Sequence, residues 1–287
     1  MAQFLNIVWS GIWLGSAYSA LAVALVVSYR AARVVNMAVG ALFVFAALLA
    51  QWLQSKGLAV GLAAVAGAWA AVALAAGQEV FVLRRVAAAP PQIRLLGTLA
   101  VAIALSGVTA TLFGRDPVTG AGPAGTAAIR VSGWHTNANA LMIILATLVI
   151  VLIVWGALEH SRVGKAIGAI GVDPGAAEML GIDVWRWRLV AMAIAGLLAG
   201  GAGVLFLPLG VLDFSQGLSL TLYGFVAAAI AGYYGIARAL IAGWVFGVVS
   251  ALGTAYVSSV FSQALTFGIL AVAVLIGQRL SARTVFS

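Results

Sequence analysis

Apolar residues fill this chain in runs near 20 long, separated by short polar breaks. A helix of about 20 residues crosses roughly 30 Å of hydrocarbon. The runs place spans at residues 9–29, 34–53, 58–83, 95–113, 139–158, 189–209, 218–234, 239–257 and 261–277. Spans 2, 7 and 8 carry polar residues or glycines inside, so continuous and broken courses are both open for them. The ten-residue alternation of an outer-membrane barrel is absent. The pattern predicts an all-α polytopic membrane helix bundle of eight to nine spans, one transmembrane domain over residues 1–287.

Composition agrees. Of 287 residues, 64% are hydrophobic and 8% charged, whereas a soluble domain needs about a quarter charged. The first span has no basic leader and no small-residue cleavage site, so it reads as a retained span. No cysteine is present, which excludes disulfides and thiolate metal sites. His135 and His160 stand alone in loops and form no metal-ligand pair. No cofactor is expected.

The net charge is +8. Its basic residues are scattered among the spans, which fits topology markers better than a nucleic-acid patch. With the loop at 159–188 placed inside, Arg30, Arg33, Arg84, Arg85, Arg94, Arg162, Lys165, Arg186, Arg188, Arg238, Arg279 and Arg283 all fall on the inner side. Lys56, Arg115 and Arg130 fall outside, and together these are the chain's 15 Lys and Arg. Such a bias is what the positive-inside rule demands. It predicts an amino terminus outside and a cytoplasmic carboxyl terminus.

The loop at 159–188 mixes charge, glycine and helix-start signals. Asp173-Pro174 reads as an N-cap with proline at the first helical position. Gly181 sits where a helix over 174–180 needs a left-handed C-terminal residue. A second short helix over 164–170 is expected to close at Gly171. Such a pair suits docking to a soluble partner. It equally suits a loop held at the lipid surface by Arg162, Lys165, Arg186 and Arg188.

Ser161, Arg162, Gly164, Lys165, Ala166, Ala169, Asp173, Ala177, Leu180 and Gly181 follow the order S-R-x-G-K/R-A, then A, D, A and L-G-I. This resembles the cytoplasmic coupling loop of the LivH-type permeases of the branched-chain amino acid family of ABC importers. The resemblance runs from Gly15-Ser16-Ala17-Tyr18 to span 8. Val35-Asn36-Met37-Ala38-Val39-Gly40 is similar to the family's I-N-F-A-H-G element, with Val39 for its histidine and Ala41 for a following acid. Ala231-Gly232 and Ile241-Ala242-Gly243 match the ends of an L-G-G…I-G-G pattern. Between them Tyr234-Gly235-Ile236-Ala237-Arg238 replaces a G-S-x-P-G turn. Gly168 replaces a frequent arginine.

The resemblance implies a multi-pass permease subunit of an ABC importer in the inner (plasma) membrane of a bacterium, moving branched-chain amino acids or related small polar solutes. It implies two ATP-binding subunits on the coupling loop, a second related permease in a heterodimer, and an extracytoplasmic solute-binding protein. It puts Asn36, Gly40 and Gly232 on the translocation path. From the residues alone, Asn36 and Gly40 suit a helix interruption facing a solute or an interhelical hydrogen bond with close packing. The chain holds no GxxxxGK[S/T] sequence, so ATP hydrolysis belongs to other chains. No carboxylate lies mid-span as an ion-coupled transporter would favour. A solute transporter or channel without an ATPase, and a non-transporting scaffold subunit, are the alternatives.

Three further features complete the pattern. Glu79 and Arg84 match a family E-x-x-x-x-R-P element, with Arg85 for the proline. Glu79 either pairs with Arg84, Arg85 or the arginines at 30–33, or helps gate the inner mouth. Gly11 with Gly15, Gly196 with Gly200, and Gly243 with Gly247 are small-xxx-small pairs for close helix packing. Tyr233 and Tyr234 serve as interfacial anchors or narrow an inner gate.

Overall fold

The apolar runs fold as helices, and the polar breaks between them set the bundle's two ends. A computed structural model describes residues 2–125, 128–131, 134–233, 235–256 and 268. Ten α-helices and one short hairpin are found among them. These are α1 Ala2–Ala32, α2 Val39–Ser55, α3 Val60–Gln78, α4 Pro91–Phe113, α5 Ala138–His160, α6 Arg162–Val172, α7 Pro174–Met179, α8 Val184–Phe206, α9 Gly217–Ile230 and α10 Ile236–Tyr256. A π-helical turn, Glu79–Leu83, extends α3. Strands β1 (Ala128–Val131) and β2 (Trp134–Asn137) pair antiparallel in the loop after α4.

Among the described residues, six helices are long and apolar enough to cross a membrane, and Val39–Ser55 and Phe214–Ile230 are shorter apolar helices. The eight coincide with eight of the nine expected apolar runs, six of them long enough to cross. The ninth expected span, with Arg279 and Arg283, lies outside the described residues, as does Tyr234. The break falls in span 2. The second helix starts at Val39 rather than 34, after a non-helical stretch at 33–38. Span 7 is the shortened but continuous helix α9, and span 8 is the continuous α10.

Helix α1 is the axis of the bundle. Its apolar window is 78% buried, against 22% for α3 and α4, so α1 is packed on all sides while α3 and α4 face outward. Outward faces carry Leu62, Val65, Trp69, Ile103 and Leu112, as a lipid-facing surface requires. The three small-residue pairs all lie in helix seams. A side chain at Gly11 or Gly15 would strike the α10 backbone at Val248 or Trp244, and one at Gly243 or Gly247 would strike α1 at Ser19 or Gly15. Gly196 and Gly200 of α8 meet Ala75 and Ala71 of α3 in the same way. Polar groups then tie the close seams. Ser19 donates to the Leu240 carbonyl oxygen at 2.7 Å and Trp244 Nε1 donates to Ser16 Oγ at 2.9 Å.

Loops sort to two ends. At one, Val118 and Leu212 exchange backbone hydrogen bonds at 2.9 and 3.0 Å, joining the loops after α4 and α8. At the other, Arg30 at the end of α1 pairs with Glu159 at the end of α5 at 2.7 Å. Replacing Gly247 with leucine should overpack the α1–α10 seam and cost about 1–3 kcal/mol, read as a lower unfolding temperature in detergent. Gly201→Ala, which meets open space, should stay within about 0.5 kcal/mol of the unaltered protein.

Candidate functional site

The loop between α5 and α8 is built from its caps. Ser161 Oγ accepts from the Val163 amide at 3.1 Å and starts α6. Helix α6 is amphipathic. It buries Ala166, Ile167 and Ile170 and exposes Arg162, Lys165 and Gly168, with Ala169 half-buried. Gly164 lies so close to the Leu158 backbone that no side chain fits there.

The expected closure at Gly171 is corrected. Gly171 stays inside α6, which runs on to Val172. Its role is contact: a Cβ would collide with the Arg30 carbonyl oxygen, while Arg33 Nε donates to the Gly171 carbonyl oxygen at 2.6 Å. The loop is thereby fastened to the end of the central helix. Asp173 ends α6 instead and caps α7, accepting from the Gly175 and Ala176 amides at 2.9 and 3.1 Å.

Helix α7 closes as the sequence predicts. The Ile182 amide donates to the Ala177 carbonyl oxygen and the Gly181 amide to that of Glu178, with Gly181 at φ +78°. This paired closure needs a left-handed residue, which glycine supplies without strain. Ala177 is buried beneath. Met179 and Leu180 stand 86% and 79% exposed on the opposite face, and Val172 is 77% exposed. Three apolar side chains on a loop that also exposes Arg162 and Lys165, at the other end of α6, form a surface with an uncovered apolar tip. Asp183 caps α8 through the Arg186 amide and pairs with the Arg186 guanidinium. Its position before a helical run was a readable N-cap signal that went unused.

The break before α2 is a second polar site. Asn36 and Gln78 exchange side-chain hydrogen bonds at 3.3 and 2.8 Å, and Asn36 Oδ1 also accepts from the Ala38 amide. The Met37 amide donates to Thr98 Oγ1, and the Gly40 amide donates to Thr221 Oγ1 at 2.9 Å. Gly40 has no room for a side chain, because Gly217 and Thr221 of α9 stand against it. The N-terminal ends of the two short helices therefore abut. Gly232 is elsewhere. It closes the far end of α9 at φ +73°, exposed, with open space around its Cα. The 14 residues of α9 separate it from the Gly40 contact, about 21 Å. Asn36 and Gly40 come together; Gly232 does not join them. Gln78, Thr98 and Thr221 were missed, although each is a polar residue inside an apolar run.

Glu79 does not take the partners expected from its neighbours. Arg84 lies 4.2 Å over the Trp185 ring, Arg30 pairs with Glu159, and Arg33 reaches Gly171. The Glu79 side chain is buried with Oε2 unpartnered, and the opposite charge that acts on it is Arg188. At the opposite end, Asp213 accepts from the Ser215 and Gln216 side chains and from the Ser215 amide. Burial raises its pKa, but these hydrogen bonds outweigh that and hold it below the ordinary 3.8. A groove lined by Ile12, Ile144, Trp244, Val245, Val248 and Val249 is apolar and offers a polar solute no partner. Among the described residues no group of three or more possible metal ligands occurs.

Comparison with known proteins adds the rest. A family model described as branched-chain amino acid transport system / permease component matches residues 7–277. The high-affinity branched-chain amino acid transport system permease protein LivH of Escherichia coli (strain K12) is 26% identical over 289 aligned positions, covering 95% of this chain and 93% of that protein. A probable LivH permease of Methanocaldococcus jannaschii is 32% identical over 129 residues, 42% of this chain and 39% of its own. In structure, PsaBC from Streptococcus pneumoniae, solved in complex with Fab, is similar at TM-score 0.50 and 15% identity. It covers 95% of this chain and 90% of that one, a likeness of fold.

Thr221→Val should strand the Gly40 amide and cost about 1–3 kcal/mol, seen as faster hydrogen exchange at that amide, while Thr221→Ser should retain protection. The Asp213 contribution should be full above the unfolded-chain value of about 4 and fade as pH falls through its lower folded value. Limited proteolysis of the 207–216 loop should therefore quicken only in strong acid, and Asp213→Asn should remove that dependence.

Proposed function

The chain belongs to the branched-chain amino acid transport system permease family and is a membrane subunit of an ABC importer, and from that premise we propose that its loop at 161–183 is the surface gripped by two ATP-binding subunits. The carrying observation is the exposed pair Met179 and Leu180 on a helix fixed at both ends, by Asp173 and by Gly181. A rigid short helix with an apolar tip gives a soluble partner something to bury, and the basic residues Arg162 and Lys165 steer approach. Ser161, Gly164, Ala166, Ala169 and Ala177 shape this surface from beneath. The attachment of α6 to Arg30 and Arg33 supplies the route by which a push on the loop reaches α1.

The cargo is a branched-chain amino acid or a related small polar solute, received from an extracytoplasmic binding protein at the end that carries the β1–β2 hairpin and Asp213. The chain works as one domain beside a second, related permease in the inner membrane of a bacterium. Its loop at 161–183 faces the cytoplasm, with the amino terminus outside and the carboxyl terminus inside. Asn36 and Gly40 shape the translocation path by fixing where α2 and α9 meet, and Gly232 sets the far end of α9.

Replacing Met179 and Leu180 together with aspartate should weaken co-purification of the ATP-binding subunits by at least about tenfold, since each buried apolar side chain is worth about 1.5–3 kcal/mol. Gly181→Val, which forces a β-branched residue to a positive φ, should uncouple uptake. Survival of both ATPase co-purification and uptake in these variants would remove the docking assignment.

A further inference from the structure

We infer that Glu79 and Arg188 are positioning residues, a charge latch that holds α8 against α3 in one state of the transport cycle and is open in the state seen here. The role rests on the docking reading above. Glu79 is 1% exposed, and its Oε2 has no hydrogen-bond partner. The Nε atoms of Arg188 and Arg94 are likewise buried and unpartnered. The Arg188 charge acts on both Glu79 and Arg94 without a hydrogen bond to either. The ion pairs Arg30–Glu159 and Arg186–Asp183 involve no member of this cluster. A buried carboxylate without a bonded counter-charge is a strong demand for one. Arg84 is stacked on Trp185, so Arg188 is the guanidinium placed to meet that demand.

Two features let the separation change. Helices α3 and α8 run antiparallel, with Ala71 against Gly200, Ala75 against Gly196 and Arg84 over Trp185. Small residues leave that seam without interlocking side chains. Glu79 also opens the π-helical turn that ends at Leu83, a wider turn of a kind frequent at functional sites. Helical side chains lean toward their own N-termini, so in an antiparallel pair Glu79 and Arg188 lean apart. A slide of α8 away from the loop end brings them together. The loop can deliver it, because α7 ends at Met179 and α8 begins at Val184.

The test uses the assembled importer in membranes. Glu79→Gln should leave co-purification and basal ATP hydrolysis unchanged and lower uptake at least about tenfold. The exchange Glu79→Arg with Arg188→Glu should restore most of it, which a merely structural role would not. The chain has no cysteine, so Leu62→Cys near the far end of α3 and Arg186→Cys, both exposed, take spin labels whose separation lies mostly along the slide, while Glu79 and Arg188 stay intact. Their distance should change by about 5 Å, one helical turn, between nucleotide-free and ATP-bound complexes. Unaltered uptake in Glu79→Gln, or one label distance in both nucleotide states, overturns the latch. If Glu79→Gln fails to fold, the label pair decides. Docking is read separately, by co-purification of the ATP-binding subunits.

Discussion

An amide unpaired in hydrocarbon has no water to turn to, and each such group costs several kcal/mol. That constraint governs the stretch at 33–38, where the chain leaves helical geometry between α1 and α2. Side chains from three other helices repair it: Gln78 through Asn36, Thr98 at Met37, and Thr221 at Gly40. The break therefore cannot exist without α3, α4 and α9 in place. Gly40 adds a steric condition, since only a missing side chain lets Gly217 and Thr221 come so near.

The same logic of close approach binds the rest. Lipid gives two helices no hydrophobic reason to associate, so backbone proximity and interhelical hydrogen bonds must hold them. Around α1 the glycines at 11 and 15 admit α10, and Ser16 and Ser19 bond across the seam. At the loop end, Gly171 repeats the device against the Arg30 carbonyl oxygen, and Arg33 reinforces it. The amphipathic loop helix is thus joined by backbone contact to the most buried of the six long helices. A displacement of α6 is carried to α1 directly.

Local signals were legible and long-range partners were not. Run length located the eight spans that fall among the described residues, with ends within seven residues, because burial in lipid demands apolar side chains over a fixed thickness. Asp173-Pro174 and Gly181 announced α7, because capping depends on neighbours in sequence. The small-residue pairs marked real seams, although nothing in them said that Gly11 and Gly15 meet Gly247 and Trp244. Gly171 was misread for the same reason: a glycine after a helical run looks like a stop until the Arg30 carbonyl opposite it is known. Asn36 was visible as an anomaly in an apolar span. Its partner Gln78 lies 42 residues away, beyond the reach of any local pattern.

The departures from the family pattern follow from packing. Val39, where that family has histidine, is fully buried in the first turn of α2. Ala41, where an acid often follows, lies against Gly217. A carboxylate at that point would have to displace the α9 backbone or stay buried without a counter-charge, and both are costly. Small and apolar residues there suit the contact between the two short helices. At the other end of α9, Tyr233 holds a left-handed backbone at φ +60° and packs against Tyr29 at 4.9 Å and Phe225 at 5.8 Å between ring centroids. A non-glycine residue keeps that conformation only when its surroundings impose it. The two aromatic contacts do so, fixing the end of α9 to the end of α1, the same end to which the loop is fastened.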